Sequence, residues 1–286
     1  MALRMVHVSP RISVPLAVIM IFFAFGAFIG IPTDRPGKPV FRNIRVAETD
    51  EHFLNARLRA LSTQPGVLFL YQFLHAGAAI VWSVAMPLQH IDRLRKRYPF
   101  FHRTAGYAVL SCSLLLGLGG LWLARRGLAH THADLLHLHA VHHPALSWLR
   151  WPTFEAALWV LAPAYFYTLF RTAQTARAGQ FARHRAWAVA HSIAAYSISI
   201  NRVNLVLGMV VGGAFAALPK GVQTEVLRLP ESIEGMAAAE LAMNAGALWG
   251  GLLLAAVWIV HEWRAAGFLD KSKVQADTRV SAIKEE

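Results

Sequence analysis

Cysteine and negative charge are both scarce in this chain. Its one cysteine, Cys112, sits inside an apolar run. No intramolecular disulfide and no cysteine metal cluster can form, and Cys112 reads as a small buried hydrophobe. Asp and Glu number 16 against 28 Lys and Arg, and charged residues make up 15% of the chain. An ordinary soluble domain carries about 25%. Also missing are a Ser-His-Asp arrangement, a glycine-rich phosphate loop and an HExxH pair. No nucleophile–base pair can be named, so the sequence points to no reaction class.

What the chain has in abundance is apolar length. Apolar residues reach 56% and mean hydropathy is +0.40. A membrane-crossing helix needs about 20 apolar residues. Six segments reach or approach that length: 12–31, 69–89, 105–124, 153–170, 186–207 and 238–260. Lipid offers no partner for an open backbone, so these segments are expected to be helices. The expected fold is all-α: an integral membrane helical bundle of six transmembrane helices with both termini cytoplasmic. Residues 1–270 form one transmembrane domain, and 271–286 form a polar tail too hydrophilic to pack. Arg4 and Arg11 precede the first segment as in a signal peptide. Its apolar stretch exceeds a typical signal core and no A-x-A site follows, so an uncleaved helix is expected.

Basic residues set the orientation. Arg93, Arg95, Lys96, Arg97 and Arg103 fall between spans two and three. Arg171, Arg177, Arg183 and Arg185 fall between spans four and five, and Arg264, Lys271 and Lys273 follow span six. Alternating spans put all of them on one side, with Arg4 and Arg11. The net charge of +12 therefore reads as topology signal and attraction to anionic lipid. No nucleic-acid motif is present, so nucleic acid is not expected as a partner. The lipid bilayer is, and the polar residues below leave room for a small-molecule ligand or a partner membrane protein. The short loops fit a cell membrane, most simply a bacterial inner membrane.

Three outer connections remain. Residues 32–68 open on Pro32, Pro36 and Pro39 and then read as a short amphipathic helix near 49–61. Residues 125–152 are rich in histidine. Residues 219–237 carry Glu225, Glu231 and Glu234.

Two inner helix entries echo one another. One reads Phe101-His102-Arg103-x-x-Gly106-Tyr107, the other Phe181-Ala182-Arg183-His184-Arg185-x-Trp187. Spans 2–3 and 4–5 are thus a candidate repeat of a helical hairpin. With His75 before these motifs and Arg202 after them, the order resembles domain of unknown function 2306, a family of predicted polytopic membrane proteins. The resemblance covers roughly residues 68–210. It implies a multi-pass membrane protein and carries no activity with it.

Candidate functional residues lie in and around the spans. His184, His191 and Arg202 are spaced by 7 and 11, which places them on one helical stripe. Intramembrane ionisable groups face a bundle interior or a cavity. A cluster of His75, Asn201, Arg202, Glu240 and Asn244 is expected in the outer half, as a ligand site or solute path, or as glue between helices. At the inner mouth His90, His102, His184 and His191 suit a single haem b, which needs two facing histidines; interfacial histidines among basic residues are the plainer alternative. Span four holds no histidine, so the two-haem pattern of six-helix b-type cytochromes is not met. His130, His132, His137, His139, His142 and His143 crowd the outer loop. His139, His142 and His143 are candidate metal ligands, and a histidine-rich solvated or interfacial helix is the alternative. Gly117, Gly119 and Gly120 mark close helix packing. Three functions stay open: binding or moving a small solute or proton, a b-type redox protein, and an accessory protein without chemistry of its own.

Overall fold

The computed structural model describes residues 8–29, 65–128, 132, 134–141 and 143–269. The expected amphipathic helix near 49–61, the polar tail, His130 and His142 lie outside these residues.

Six long helices stand over the six apolar segments. Helix α1 is Pro10–Ile29. Helix α2 runs through Pro65–Phe69, a π-helical stretch Leu70–Gly77, and Ala78–Gln89. A short basic helix α3, Asp92–Arg97, turns the chain into α4, Pro99–Arg125. Strands β1 (Leu138–Ala140) and β2 (Arg150–Pro152) pair antiparallel. Then come α5 (Phe154–Arg177), α6 (Phe181–Ala216) and α7 (Ile233–Ala266). Among the described residues four helices are long and apolar enough to cross a membrane: Gly66–Gln89, Pro99–Arg125, Phe181–Ala216 and Glu234–Ala266.

The helix ends follow from local chemistry. Thr153 caps α5, its Oγ1 accepting from the Ala156 N–H at 3.1 Å. Ser232 caps α7 through Gly235 at 3.0 Å. Such hydroxyls satisfy amides that have no partner inside the helix. Pro99 opens α4, where its missing N–H is harmless. Gly267, at φ 74°, ends α7, and the chain folds back so that the Phe268 N–H reaches the Trp263 carbonyl.

Helix α6 is the hub. It packs against α7, α5 and α1 and contributes Val189, Ile193 and Tyr196 to a core shared with Trp82, Met86, Val109 and Ala255. The α6–α7 crossing is close: a Cβ on Gly251 would stand 2.9 Å from the Ser197 carbonyl oxygen. Gly117 lets α4 approach α5, since a Cβ there would collide with Phe166 at 2.7 Å, and Gly119 admits His75, while Gly120 faces open space. Apolar side chains also cover the outside. Val210 is 65% exposed and Leu253 67%, a surface suited to acyl chains and not to water.

Beyond Arg125 the histidine-rich connection holds no α-helix where it is described, only the short 3-10 turn Pro144–Leu146. β1 and β2 form a small hairpin with His139 opposite Trp151. Trp151 Nε1 donates to the Ala242 carbonyl at 2.8 Å and Trp249 Nε1 to the Pro152 carbonyl at 3.0 Å. These contacts with α7 hold the segment extended, an influence no local pattern records.

Candidate functional site: a polar file along the central helix

Helix α6 buries His191, Ser192, Ser197, Ser199 and Asn201. His191, 1% exposed, joins four helices. Its Nε2 lies 2.9 Å from Ser113 Oγ on α4 and its Nδ1 lies 3.2 Å from Thr168 Oγ1 on α5. Trp82 Nε1 on α2 reaches the same Ser113 Oγ at 2.9 Å. Tyr165 lays its ring 4.8 Å from the imidazole and donates its hydroxyl to the Ser113 carbonyl at 2.9 Å.

The directions in this chain can be worked out. Indole N–H only donates, so Ser113 Oγ accepts from Trp82. Thr168 gives its own proton to the Ala164 and Tyr165 carbonyls, both at 2.9 Å, so it accepts from His191. The assignment that satisfies every group has the proton of His191 on Nδ1, with Nε2 accepting from the Ser113 hydroxyl.

His90 is set the other way round. Its Nδ1 accepts a long 3.5 Å bond from the Val8 N–H, so Nε2 carries the proton and donates to Ser192 Oγ at 2.9 Å. Ser192 in turn donates to the Ala188 carbonyl at 2.7 Å. Both histidines thus have both ring nitrogens engaged by protein groups.

The file runs from His191 toward the basic end of the bundle. On α5, Thr168, Thr172 and Thr175 are buried, and the Thr172 hydroxyl donates to the Thr168 carbonyl at 2.7 Å. His184 Nδ1 donates to the Thr172 carbonyl at 3.0 Å. One residue further, Arg185 shares the Asp92 carboxylate with Arg95. Partial burial works to raise the Asp92 pKa, but the charges and hydrogen bonds of Arg185 and Arg95 outweigh it and hold the carboxyl below its ordinary range. From Arg185 to His191 is six residues of α6, roughly 9 Å. His102 lies near enough to Arg95, Arg185 and His184 to feel the charge of each.

The expected outer cluster is spread over several places. His75 stacks on Tyr71 at 5.8 Å and fits against Gly119. The Arg202 guanidinium lies 5.7 Å from the Phe23 ring centroid on α1. Asn201 is packed beside Gly251, and Asn244 donates to the Glu240 carbonyl one turn back on its own helix. The pairing of α6 with α7 is antiparallel: Gly208 meets Met243, Asn204 meets Ala247, and Ser197 meets Gly251. Glu240 therefore sits about nine residues further along than the level of Arg202, roughly 14 Å.

In the histidine-rich connection, His132 and His137 stack at 4.1 Å, with His139 4.9 Å from His137 and 6.0 Å from His132. The ring neighbours of His139 are thus His132, His137 and Trp151. His143 instead caps the turn that follows it, Nδ1 accepting from the Ala145 N–H. Burial, and then the neighbouring His137 and His132, push the His139 pKa down. Among the described residues no group of three His, Cys, Asp or Glu side chains is arranged to hold a metal ion.

Sequence reading picked out His90, His184 and His191 but missed Trp82, Ser113, Thr168 and Ser192, common residues that carry no mark until their helices meet. Fold and site together define a helical bundle with membrane-length apolar helices and a buried polar file. Comparison with protein-family models finds no match, and neither do comparisons with curated proteins and with solved structures.

Proposed function

We propose that the chain is a six-span membrane protein, both ends cytoplasmic, that moves a proton along helix α6. The topology is supported by the Arg185–Asp92–Arg95 bridge and by Arg171 resting over Trp187, which packs on Trp263. These contacts gather the basic inner-loop residues at one end of the bundle, as the charge rule requires. The resemblance to domain of unknown function 2306 fits the same multi-pass layout.

The observation that carries the function is the hydrogen-bonded run Trp82–Ser113–His191–Thr168. A neutral imidazole that accepts on one nitrogen and donates from the other can take a proton at Nε2 and release one from Nδ1. The return step is a tautomer exchange. Burial keeps the charged intermediate brief.

The test is proton flux into dye-loaded proteoliposomes under a potassium–valinomycin potential. Flux should fall to the protein-free rate in His191→Asn and persist in Val160→Ala, whose side chain faces outward. Flux that is equal with and without protein, or unchanged in His191→Asn, ends this reading. The rival reading of one haem b retains only His102 and His184, because His90 and His191 already have both nitrogens occupied. A Soret band with sharp reduced α and β bands, lost in His102→Ala, would favour it. A colourless protein without flux leaves the accessory role.

A further inference from the structure

The inner mouth holds a group of unmet hydrogen-bond donors. Gln89 Nε2 at the end of α2, Arg95 Nε on α3 and His102 Nδ1 on α4 are all buried and have no partner among the described residues. Buried polar atoms are nearly always satisfied, and exceptions call for an explanation. These three come from consecutive elements that meet. Gln89 Oε1 lies 3.3 Å from the position of a Cβ on Gly106, one turn above His102. His102 in turn feels Arg95, His184 and Arg185. Asp92, the carboxylate found among these groups, is already engaged by Arg95 and Arg185. The spot is therefore rich in donors and short of negative charge.

We propose that this mouth binds a phosphate group, with Gln89, Arg95 and His102 as its donors and Arg185 supplying charge. Three donors arriving from three helices suit a tetrahedral anion with several acceptor oxygens. A flat carboxylate would engage two of them in one plane. Gly106, one turn above His102, gains a role, since a Cβ there would stand 3.3 Å from Gln89 Oε1 and shift that side chain. The mouth lies at the headgroup level of the proposed inner leaflet, where phosphate is supplied both by anionic lipid and by soluble compounds. The proposal does not depend on proton movement through His191.

The experiment is thermal unfolding of the detergent-purified full chain, titrated with inorganic phosphate against chloride at matched ionic strength. In parallel, native mass spectrometry follows retention of phosphatidylglycerol. A rise in melting temperature with phosphate alone assigns the site to a soluble phosphate compound. Retained phosphatidylglycerol that phosphate cannot displace assigns it to a lipid headgroup. Arg95→Gln should weaken either response about tenfold, as expected for losing one charge-assisted donor. Gln89→Glu places a carboxylate in the site, so it should raise the melting temperature without ligand and abolish the response. Lys96→Gln, exposed on the same short helix, should respond like wild type. The proposal is overturned if phosphate does no more than chloride and no phosphatidylglycerol is retained. It is equally overturned if Lys96→Gln loses as much as Arg95→Gln, or if Gln89→Glu responds as wild type.

Discussion

Ser113 is the residue on which most of the polar core converges. Its hydroxyl serves both Trp82 and His191, and its carbonyl receives Tyr165. Ser113→Ala keeps the carbonyl but strands an indole N–H and an imidazole nitrogen in a dry interior. Each orphan costs about 1–3 kcal/mol, so the variant should unfold several degrees below wild type. Thr168→Val strands only the His191 Nδ1–H and should lose about half as much. Equal stability of all three proteins in a detergent melt would mean that the network is not formed. Steric demand is as local: Gly251→Ala forces the Ser197 carbonyl away and should destabilise by about 1–3 kcal/mol, whereas Gly120→Ala, facing open space, should be neutral. At this scale the sequence was a partial guide. It marked ionisable residues, because charge inside an apolar run stands out, but the hydroxyls and indole that position them look the same as any other Ser, Thr or Trp.

At the scale of the element, apolar runs located all six long helices but clipped their ends. The fourth segment, read as 153–170, is a helix to Arg177, and the fifth, read as 186–207, extends over Phe181–Ala216. Helical hydrogen bonding continues past the charges that bound an apolar run, at Arg171 and at Arg185. It also continues past Gly208, Gly212 and Gly213, which leave the outer end of the fifth segment open in the sequence although it stays apolar to Leu218. The β-hairpin went unseen because three-residue strands have too little length for an alternating pattern, and its shape depends on Trp151 and Trp249 reaching α7. That hairpin should respond to acid. The His139 pKa is pulled down by burial and by His137 and His132. Asp134, the acid in the same loop, already accepts from the Leu136 N–H. Docking is therefore complete above the ordinary histidine pKa of 6.5 and is progressively lost as pH falls below it, because the undocked hairpin takes up the proton more readily. Hydrogen exchange over residues 138–152, corrected for intrinsic rate, should show weaker protection near pH 5.5 than near pH 7.5. His139→Phe should flatten the difference, and a wild-type hairpin equally protected at both pH values would refute it.

The whole molecule is longer than the layer it is proposed to cross. Helix α6 has 36 residues and α7 has 34, roughly 54 and 51 Å against a hydrocarbon core of about 30 Å. The excess carries Arg183 and Arg185 clear of the acyl chains at one end and leaves a helical rim at the other. Orientation can be mapped with the protein's own scarcity of thiols. In a Cys112→Ala background, Lys96→Cys should react with an impermeant maleimide only from the cytoplasmic face, and Ser147→Cys only from the opposite face. Labelling of both from one side would break the alternation of spans.

The seat of Val8 has a consequence for how the protein is made. Val8 is fully buried, and its amide rests on His90, which is itself fixed by Ser192. Helix α1 rests mainly on α2, which follows it in the chain, and also on α6, so its seat is completed only once α6, which carries Ser192, has been synthesised. Until then α1 has only α2 to rest on. A ribosome stalled before Ser192 would leave the segment around Val8 without its final seat, open to membrane proteases.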